Sequence, residues 1–278
     1  MTASTTPPLD RLRLELRGHP ASGLRRGRRA GRLYAALGAA AIVAGWQLLS
    51  LVVNPAIMAS PVDTAKALGT LALDGTLSTH LLITLKRLVI GLSLGAVTGL
   101  VLGVVAGLQP RLRSFLEPLR WVGMTTPAVI IAVLAMLWFG LGDVSVIFIV
   151  AVIIVPVMFV NSVAGILSID SRLVEMGEVY RFSRRLLLTE VYLPGIGSHV
   201  MAGLTLATGV AVRAVVLGEV LGAMDGIGYA FSRAMSYLET PELFAWVVVL
   251  LALMGALDFG VLRPLTRRTM HWREGTNK

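Results

Sequence analysis

The fold is decided by residues 144–166, VSVIFIVAVIIVPVMFVNSVAGI, an apolar run without an acidic or basic side chain. A helix needs about 20 mostly apolar residues to cross roughly 30 Å of hydrocarbon, and this run is long enough. The whole chain has the same character, because 55% of its 278 residues are hydrophobic and only 15% are charged. The composition therefore predicts a membrane protein and excludes a typical soluble enzyme, a disordered chain and a coiled-coil rod.

Other apolar runs lie before and after this one. Together they predict six transmembrane helices, at 33–53, 89–108, 127–141, 144–166, 200–221 and 243–262. The run at 127–141 is shorter than the rest, so we expect it to cross with a tilt or where the bilayer is locally thinned. The predicted fold class is all-α, a polytopic membrane helix bundle.

Positive charge is distributed unevenly between the predicted loops. The formal net charge is +9, and arginines cluster in the segments 11–32, 111–120, 172–185 and 263–273. The loops on the other side are assigned only a few basic residues, which are Lys66, Lys86, Arg87 and Arg233. Because cytoplasmic loops are enriched in Lys and Arg, this asymmetry predicts that both termini are cytoplasmic.

Glycine recurs at every fourth position of the second predicted span, at Gly91, Gly95, Gly99, Gly103 and Gly107. This spacing puts the five glycines on one face of a helix, where a neighbouring helix can approach closely. We therefore expect them to be helix-packing residues of a tight bundle. They carry no information about a substrate.

Motifs for catalysis and metal binding are missing from the sequence. It has no cysteine, no phosphate-binding G-x-x-x-x-G-K-[ST] motif, and no G-x-S-x-G or H-E-x-x-H motif. Its four histidines are scattered singly, so we expect no catalytic residue, no metal site and no cofactor in this chain. Because so much of the sequence is apolar, we expect the excess arginine to contact a membrane and not nucleic acid.

The longest predicted cytoplasmic loop, 168–197, combines helix-capping residues with exposed aromatic ones. Asp170 or Ser171 can cap a first short helix, and Ser183 can cap a second. Tyr180-Arg181-Phe182 lies between the two helices and puts aromatic rings beside a guanidinium. We interpret this loop as an adaptor surface for another protein.

The same loop resembles a motif of the permease subunits of binding-protein-dependent ABC importers, especially the nitrate, sulfonate and taurine group. That motif is Glu-Ala-Ala, three residues, Gly, and Leu-Pro about a dozen residues later. Glu175 matches its Glu and Leu193-Pro194 match its end, but Met176-Gly177 replace Ala-Ala and Arg181 stands at the Gly position. Similarity extends over residues 60–273 through five further stretches, 59–73, 84–91, 137–142, 218–222 and 226–229.

The resemblance implies a fold like that of a type I ABC importer permease and a set of partners. Those partners are an ABC ATPase dimer that uses ATP and Mg²⁺, an external substrate-binding protein, and a second permease chain in a homodimer. The implied cargo is a small solute such as nitrate, a sulfonate, taurine or a heterocycle, carried across a bacterial inner membrane. The ATPase-coupling residues would be Glu175, Gly177, Tyr180, Arg181, Phe182, Ser183 and Pro194.

This interpretation divides the chain into four parts. Residues 1–32 are a basic tail at the anionic inner leaflet, and 33–53 are a first transmembrane anchor. Residues 54–273 are the permease core with its coupling loop at 168–197, and 274–278 are a cytoplasmic tail. If Arg181 has a positive φ, as the Gly of the motif would, its side chain adds a steric cost.

Three polar residues within predicted spans are candidates for the translocation path, because burying such groups in lipid is expensive. They are Asn161, Arg213 and Glu219. Arg213 can face an anionic substrate, or it can neutralise a polar group of a neighbouring span or snorkel outward. Asn161 can contact a substrate or make an interhelical hydrogen bond.

Two other classes of protein stay open. One is an ion-coupled secondary transporter, although such proteins commonly show internal repeats and we find no similarity between the two halves of this chain. The other is a membrane scaffold or a membrane enzyme that has no ATPase partner. Neighbouring genes for an ATPase and a secreted binding protein would favour the importer.

Overall fold

The computed structural model describes residues 22–262, and all regular secondary structure in that range is helical. The predicted tail residues 1–21 and the segment 263–278 lie outside the described residues. The helices are α1 Ser22–Val52, α2 Pro61–Leu73, α3 Thr76–Leu108, α4 Pro110–Thr125, α5 Ala128–Phe139, α6 Asp143–Leu167, α7 Ser171–Val179, α8 Arg184–Leu187, α9 Leu193–Gly222, α10 Ile227–Ser236 and α11 Thr240–Ala256. Two π-helical segments, Leu188–Tyr192 and Leu257–Leu262, follow α8 and α11.

Four helices of the described part are long and apolar enough to cross a membrane alone, at Thr76–Leu108, Asp143–Leu167, Arg185–Gly222 and Thr240–Gly260. Helices α4 and α5 qualify as a fifth span only when taken together. The apolar part of α1, Ala36–Val52, is shorter. The membrane-bundle fold is confirmed, whereas the predicted count of six spans is confirmed only in part.

The third predicted span, 127–141, contains the single helix α5, which follows α4 after a sharp bend. The axes of α4 and α5 differ by 99°. The bend falls at Thr126, whose backbone is extended (φ −67°, ψ 124°), as expected for a residue that precedes a proline. The expected span therefore holds one helix that begins after Pro127, but this helix is too short to qualify as a membrane span without α4.

Helix α3 begins earlier than the sequence predicted. The expected span started at residue 89 and left Lys86 and Arg87 in an external loop, but the helix runs without a break from Thr76. The assignment of these two residues to a loop was wrong. Arg87 is only 1% exposed, and its charge is compensated by side chains distant in sequence.

A continuous helix joins the predicted coupling loop to the fifth predicted span. Residues Arg185–Gly222 form one helical stretch of 38 residues, so the predicted separation between a short helix before residue 197 and a span from 200 was wrong. Pro194 lacks an N–H group and normally kinks a helix. The preceding π-helical turn absorbs this defect, because the Leu193 N–H donates to the Leu188 carbonyl, five residues back.

The described chain divides into two units at Pro61 and Val62. In the first unit, the Trp46 Nε1–H donates to the Ala59 carbonyl at 3.0 Å and ties the end of α1 to the segment that follows it. Ala59 is buried.

The second unit is built around α6, which packs against α3, α9, α5 and α4. On the α3 side, a Cβ added at Gly91, Gly95 or Gly107 would lie 2.6–2.7 Å from the nearest atom of α6. These distances leave no room for a side chain, and the five stripe glycines are all buried. On the other side, α9 presents a second face of small residues to the bundle, Gly203, Ala207, Ala211, Ala214 and Gly218.

A second apolar cluster joins α2, α10 and α11. Its largest member is Trp246 of α11, which is fully buried against Ile227 and Ala230 of α10 and Leu71 of α2. The short helices α2 and α10 are thereby held at the end of the bundle where α9 ends and α11 begins.

Candidate functional site

The predicted coupling loop folds as two capped helices separated by a turn. The Arg172 N–H donates to Asp170 Oδ1 at 2.9 Å, so Asp170 caps α7. The Leu186 N–H donates to Ser183 Oγ at 3.2 Å, so Ser183 caps α8. Both capping positions follow the sequence-based expectation.

The turn between these helices holds a non-glycine residue in a left-handed conformation. Arg181 has φ +50° at the position where the related motif has Gly, and a side chain in this conformation is expected to carry a steric cost. The Phe182 N–H donates to the Gly177 carbonyl at 2.8 Å, the long hydrogen bond that defines a Schellman helix end. The same motif occurs after α10, where Leu238 has φ +59° and the Glu239 N–H donates to the Ala234 carbonyl.

Gly177 lies at the contact between α7 and the turn. A Cβ there would lie 2.6 Å from Leu187 Cδ1 and 3.4 Å from the Phe182 ring. The absence of a side chain thus lets α8 and Phe182 pack directly on the backbone of α7. Gly177 and Phe182 hold the shape of this element, whatever contacts it.

The outer surface of the element is unusually apolar for a loop. Tyr180 and Val179 are 71% and 79% exposed, and Tyr180 lies against Phe182 with ring centroids 6.4 Å apart. Glu175 is also exposed. We call the segment Ser171–Tyr192 the coupling element.

Arg213, a predicted path residue, is exposed on α9. Within residues 22–262 its guanidinium has no hydrogen bond or ion pair. It lies nine residues before the end of α9, about 13 Å along the helix axis. One turn away, Gly209 lines a cavity of about 320 Å³ between α9 and the end of α11. Thr205, Thr208 and Asp258 supply the polar groups of that cavity.

The other two predicted path residues are held inside the bundle. The Asn161 amide donates to the Val157 carbonyl of its own helix at 2.8 Å, and its Cβ lies 2.8 Å from the position of a Cβ at Gly203. Asn161 therefore fills the contact between α6 and α9. Glu219 is fully buried at the end of α9 and is separated from the exposed face that carries Arg213.

Glu219 belongs to a buried ionic group that sequence reasoning missed. The Arg87 Nη1–H donates to Glu219 Oε1 at 3.0 Å and to the Asp225 carbonyl at 2.8 Å. The Arg87 Nε–H donates to Asp143 Oδ1 at 2.8 Å, and Nη2 pairs with the carboxylates of Asp143 and Asp225. We call the side chains of His80, Thr84, Arg87, Asp143, Glu219 and Asp225 the Arg87 cluster.

Side chains of this cluster bind three consecutive backbone N–H groups. The Gly226 N–H donates to His80 Nδ1 at 3.0 Å, the Ile227 N–H to Thr84 Oγ1 at 2.9 Å, and the Gly228 N–H to Glu219 Oε2 at 2.9 Å. Gly226 has φ +97°, and a Cβ there would collide with the Glu219 carboxylate. Glycine is therefore required where the turn closes over this carboxylate.

A signal for the cluster was present in the sequence. His80, Thr84 and Arg87 precede Gly91 in steps of four, three and four residues. They therefore lie on the same face of α3 as the glycine stripe. Continuing the stripe towards the N-terminus would have indicated that Arg87 faces the bundle. The partners on α9 had no such signal, because Glu219 is 132 residues away.

Most of this chain is similar in sequence to known proteins. The family described as "Binding-protein-dependent transport system inner membrane component" matches residues 99–268. A protein named as an aliphatic sulfonates transport permease, SsuC of Escherichia coli, is 35% identical over 83% of this chain and 88% of its own length. The Bacillus subtilis protein of the same name is 31% identical over 84% of this chain and 85% of its own length.

A solved structure supports the fold. A chain of the MetNI methionine ABC transporter, in an inward-facing conformation, aligns with a TM-score of 0.52 and 18% identity, over 67% of this chain and 91% of its own. At this identity the likeness concerns the fold alone. The family match and the two sulfonate permease relatives go further: this chain belongs to the binding-protein-dependent transport system inner membrane components, the permease subunits of ABC importers.

Proposed function

We propose that this permease carries a small organic anion of the sulfonate type across a bacterial inner membrane, driven by a partner ATPase. The observation that carries the proposal is the continuous helix from Arg185 to Gly222, which links the exposed coupling element to the spans. A movement imposed on the coupling element is therefore applied directly to a helix that crosses the membrane.

The coupling element fits the role of an ATPase docking surface. Its exposed Tyr180 and Phe182 offer apolar area, and Glu175 and Arg181 offer charges of both signs. Protein interfaces are commonly built from aromatic and arginine anchors of this kind. ATP and Mg²⁺ would be bound by the partner, since this sequence contains no phosphate-binding loop.

Arg213 supports an anionic cargo. An arginine without a partner in a membrane-spanning segment is costly unless it faces water, a ligand or another chain. In a homodimer, two copies of Arg213 would create a positive potential along a shared path. Relatives named for aliphatic sulfonates and for taurine transport agree with this charge, since both names denote sulfonates.

The remaining assignments follow from charge and family. With both termini in the cytoplasm, the arginine-rich segments 111–120 and 172–185 lie on the ATPase side, and the basic tail lies near anionic lipid. The turn at 223–226 and the helices α2 and α10 then face outward, where an external binding protein would deliver the substrate.

The proposal is tested by reconstituting the permease with its ATPase and its binding protein in proteoliposomes. We expect uptake of a labelled alkanesulfonate that requires ATP and the binding protein and does not require a proton or sodium gradient. Uptake driven by an ion gradient in the absence of the ATPase would instead identify a secondary transporter. A panel with nitrate, taurine and an uncharged solute determines the substrate class.

A further inference from the structure

The continuous helix ends at the Arg87 cluster. One end of the helix is the coupling element, and its last turn carries Glu219 and Gly222. A helix of 38 residues spans roughly 55 Å, so these two features lie at opposite ends of a stiff rod. The residue that follows α9, Ala223, has an extended backbone.

The cluster connects that rod to two other helices. Arg87 and Thr84 come from α3, Asp143 begins α6, and Glu219 comes from α9. A backbone bond adds to the connection, because the Gly142 N–H donates to the Gly222 carbonyl at 2.8 Å. The turn 225–228 is attached to the same cluster through the three N–H groups described above, so α10 is connected to it as well.

The chemistry of the cluster favours a single rigid arrangement. Arg87 and Glu219 are 1% and 0% exposed, and each is saturated with hydrogen bonds. Thr84 has a double role, because its hydroxyl donates to Glu219 and accepts from the Ile227 N–H. Moving one partner would leave a buried charge unpaired, so the connected segments must move together or not at all.

From these observations we infer that the Arg87 cluster is the joint that transmits movement of the continuous helix to the outer turn at residues 223–228. Arg87 and Thr84 are positioning residues for transport. They act through Glu219 and the turn and do not touch the substrate. The inference rests on the proposed function, because it needs an ATPase that moves the coupling element.

The experiment uses the chain's lack of cysteine, so that Met224→Cys provides a single label site in the permease chain, whose labelling is followed separately on a gel. Met224 belongs to the outer turn and is 73% exposed. In the complete complex in lipid nanodiscs, the rate of maleimide labelling is measured without nucleotide and with ATP plus vanadate. We expect the two rates to differ several-fold when the rest of the chain is unchanged.

Two variants in this background break the joint. Thr84→Val keeps the side-chain volume and removes the hydroxyl, and Arg87→Lys keeps the charge and removes the planar fork that reaches three carboxylates. We expect the two labelling rates to converge in both variants, and ATP-driven uptake to fall, while ATP hydrolysis continues. The matched control is Lys86→Gln, which removes an exposed ion pair with Asp143 and should keep the parental ratio.

The absolute rates separate lost transmission from simple destabilisation. Lost transmission gives two equal rates within the parental range, whereas a loosened turn would be labelled faster than the parent in both states. A parental ratio in Thr84→Val and Arg87→Lys would overturn the inference and leave the proposed function intact. Equal rates in the two states of the Met224→Cys parent would also overturn it. If Arg87→Lys yields no complex, the labelling rates of Thr84→Val decide whether the inference holds. A Met224→Cys parent that recovers no ATPase would overturn the proposed function itself.

Discussion

At the scale of single residues, the same side-chain type has opposite roles in this protein according to its surroundings. Arg87 is buried and fully paired, whereas Arg213 is exposed on a membrane-spanning helix without a partner in the described chain. The first arrangement fixes structure, and the second leaves a charge for a ligand or another subunit. Hydropathy treats the two arginines alike, so only the contacts separate them.

The buried Arg87–Glu219 pair predicts that substitutions at the adjacent residues 86 and 87 differ greatly in their effect on the free energy of unfolding. Arg87→Ala leaves the Glu219 carboxylate buried without its countercharge, which typically costs about 3–5 kcal/mol in the free energy of unfolding. Lys86→Ala removes an exposed pair and should cost less than about 1 kcal/mol. Denaturant unfolding of the detergent-solubilised chain measures both. Equal losses would show that Arg87 is not an essential partner of Glu219.

Arg181 predicts an effect of backbone conformation alone. Arg181→Gly and Arg181→Ala both remove the guanidinium, but only Ala retains the steric cost of φ +50°. We expect the Gly variant to be more stable than the Ala variant by about 1 kcal/mol. The same pair of substitutions at Leu238, with φ +59°, is the matched control in thermal melts. An Ala variant as stable as the Gly variant at position 181 would argue against the left-handed turn.

At the scale of helices, the bundle depends on α6 being packed between two faces of small residues. The glycines of α3 allow contact with the backbone of α6, where the Val155 and Ala151 carbonyls lie 2.5 and 2.6 Å from the positions of added Cβ atoms. Where lipid surrounds the helices, such close packing is a main source of association. The glycine stripe is thus a requirement of the fold itself.

This packing predicts contrasting effects of two Gly→Ala substitutions. A Cβ at position 99 would lie 2.5 Å from the Val155 carbonyl oxygen, so Gly99→Ala should destabilise the bundle by about 1–3 kcal/mol. Gly69 of α2 has no atom within 4 Å of its Cβ position, so Gly69→Ala should be neutral or stabilising by up to about 1 kcal/mol. Melting in detergent reports both values. If the two variants melt alike, α3 does not pack on α6 through this face.

Much of this helix arrangement was predictable from the sequence, and the exceptions have physical causes. The span predicted at 144–166 is α6, within one residue at each end, because its apolar run is uninterrupted. The start of α3 was missed because Lys86 and Arg87 look like loop residues until their partners are known. Helix α9 was predicted too short because Pro194 suggests a break, and no local pattern announces the π-helical turn that accommodates it.

The functional residues also divide into those that the sequence predicts and those that it does not. The caps Asp170 and Ser183 and the strained Arg181 depend on neighbours within a few positions, so the sequence predicted them. The Arg87 cluster joins helices that are distant in sequence, and a single sequence holds no record of which buried charges meet. The roles of Asn161, Arg213 and Glu219 in transport stay predictions.

At the scale of the whole molecule, one helix joins the coupling element to the turn at residues 223–228. Arg213 lies on that helix between the two ends. In the proposed homodimer, the movement that opens the path would also move both copies of this charge. Transport of an anion and coupling to ATP would then depend on the same element.

Arg213 therefore predicts a loss of uptake without loss of assembly. Arg213→Gln should reduce ATP-driven uptake of the anion at least about tenfold, a loss of roughly 1.4 kcal/mol in transition-state stabilisation, and leave recovery of the ATPase unchanged. Arg213→Lys should keep part of the uptake, because it retains the charge and loses only the planar fork. Normal uptake by a well-assembled Arg213→Gln complex would remove this residue from the path, and poor assembly would indicate a structural role.

The most direct test of the account is the amount of ATPase that co-purifies with the permease when the turn of the coupling element is changed. Replacing Tyr180, Arg181 and Phe182 together by Ala should abolish recovery of the ATPase and uptake. The matched control replaces Tyr237, Leu238 and Glu239, the corresponding Schellman turn after α10, and should leave recovery unchanged. Full recovery of the ATPase with undiminished uptake in the 180–182 variant would contradict the claim that ATP hydrolysis drives this permease through the coupling element.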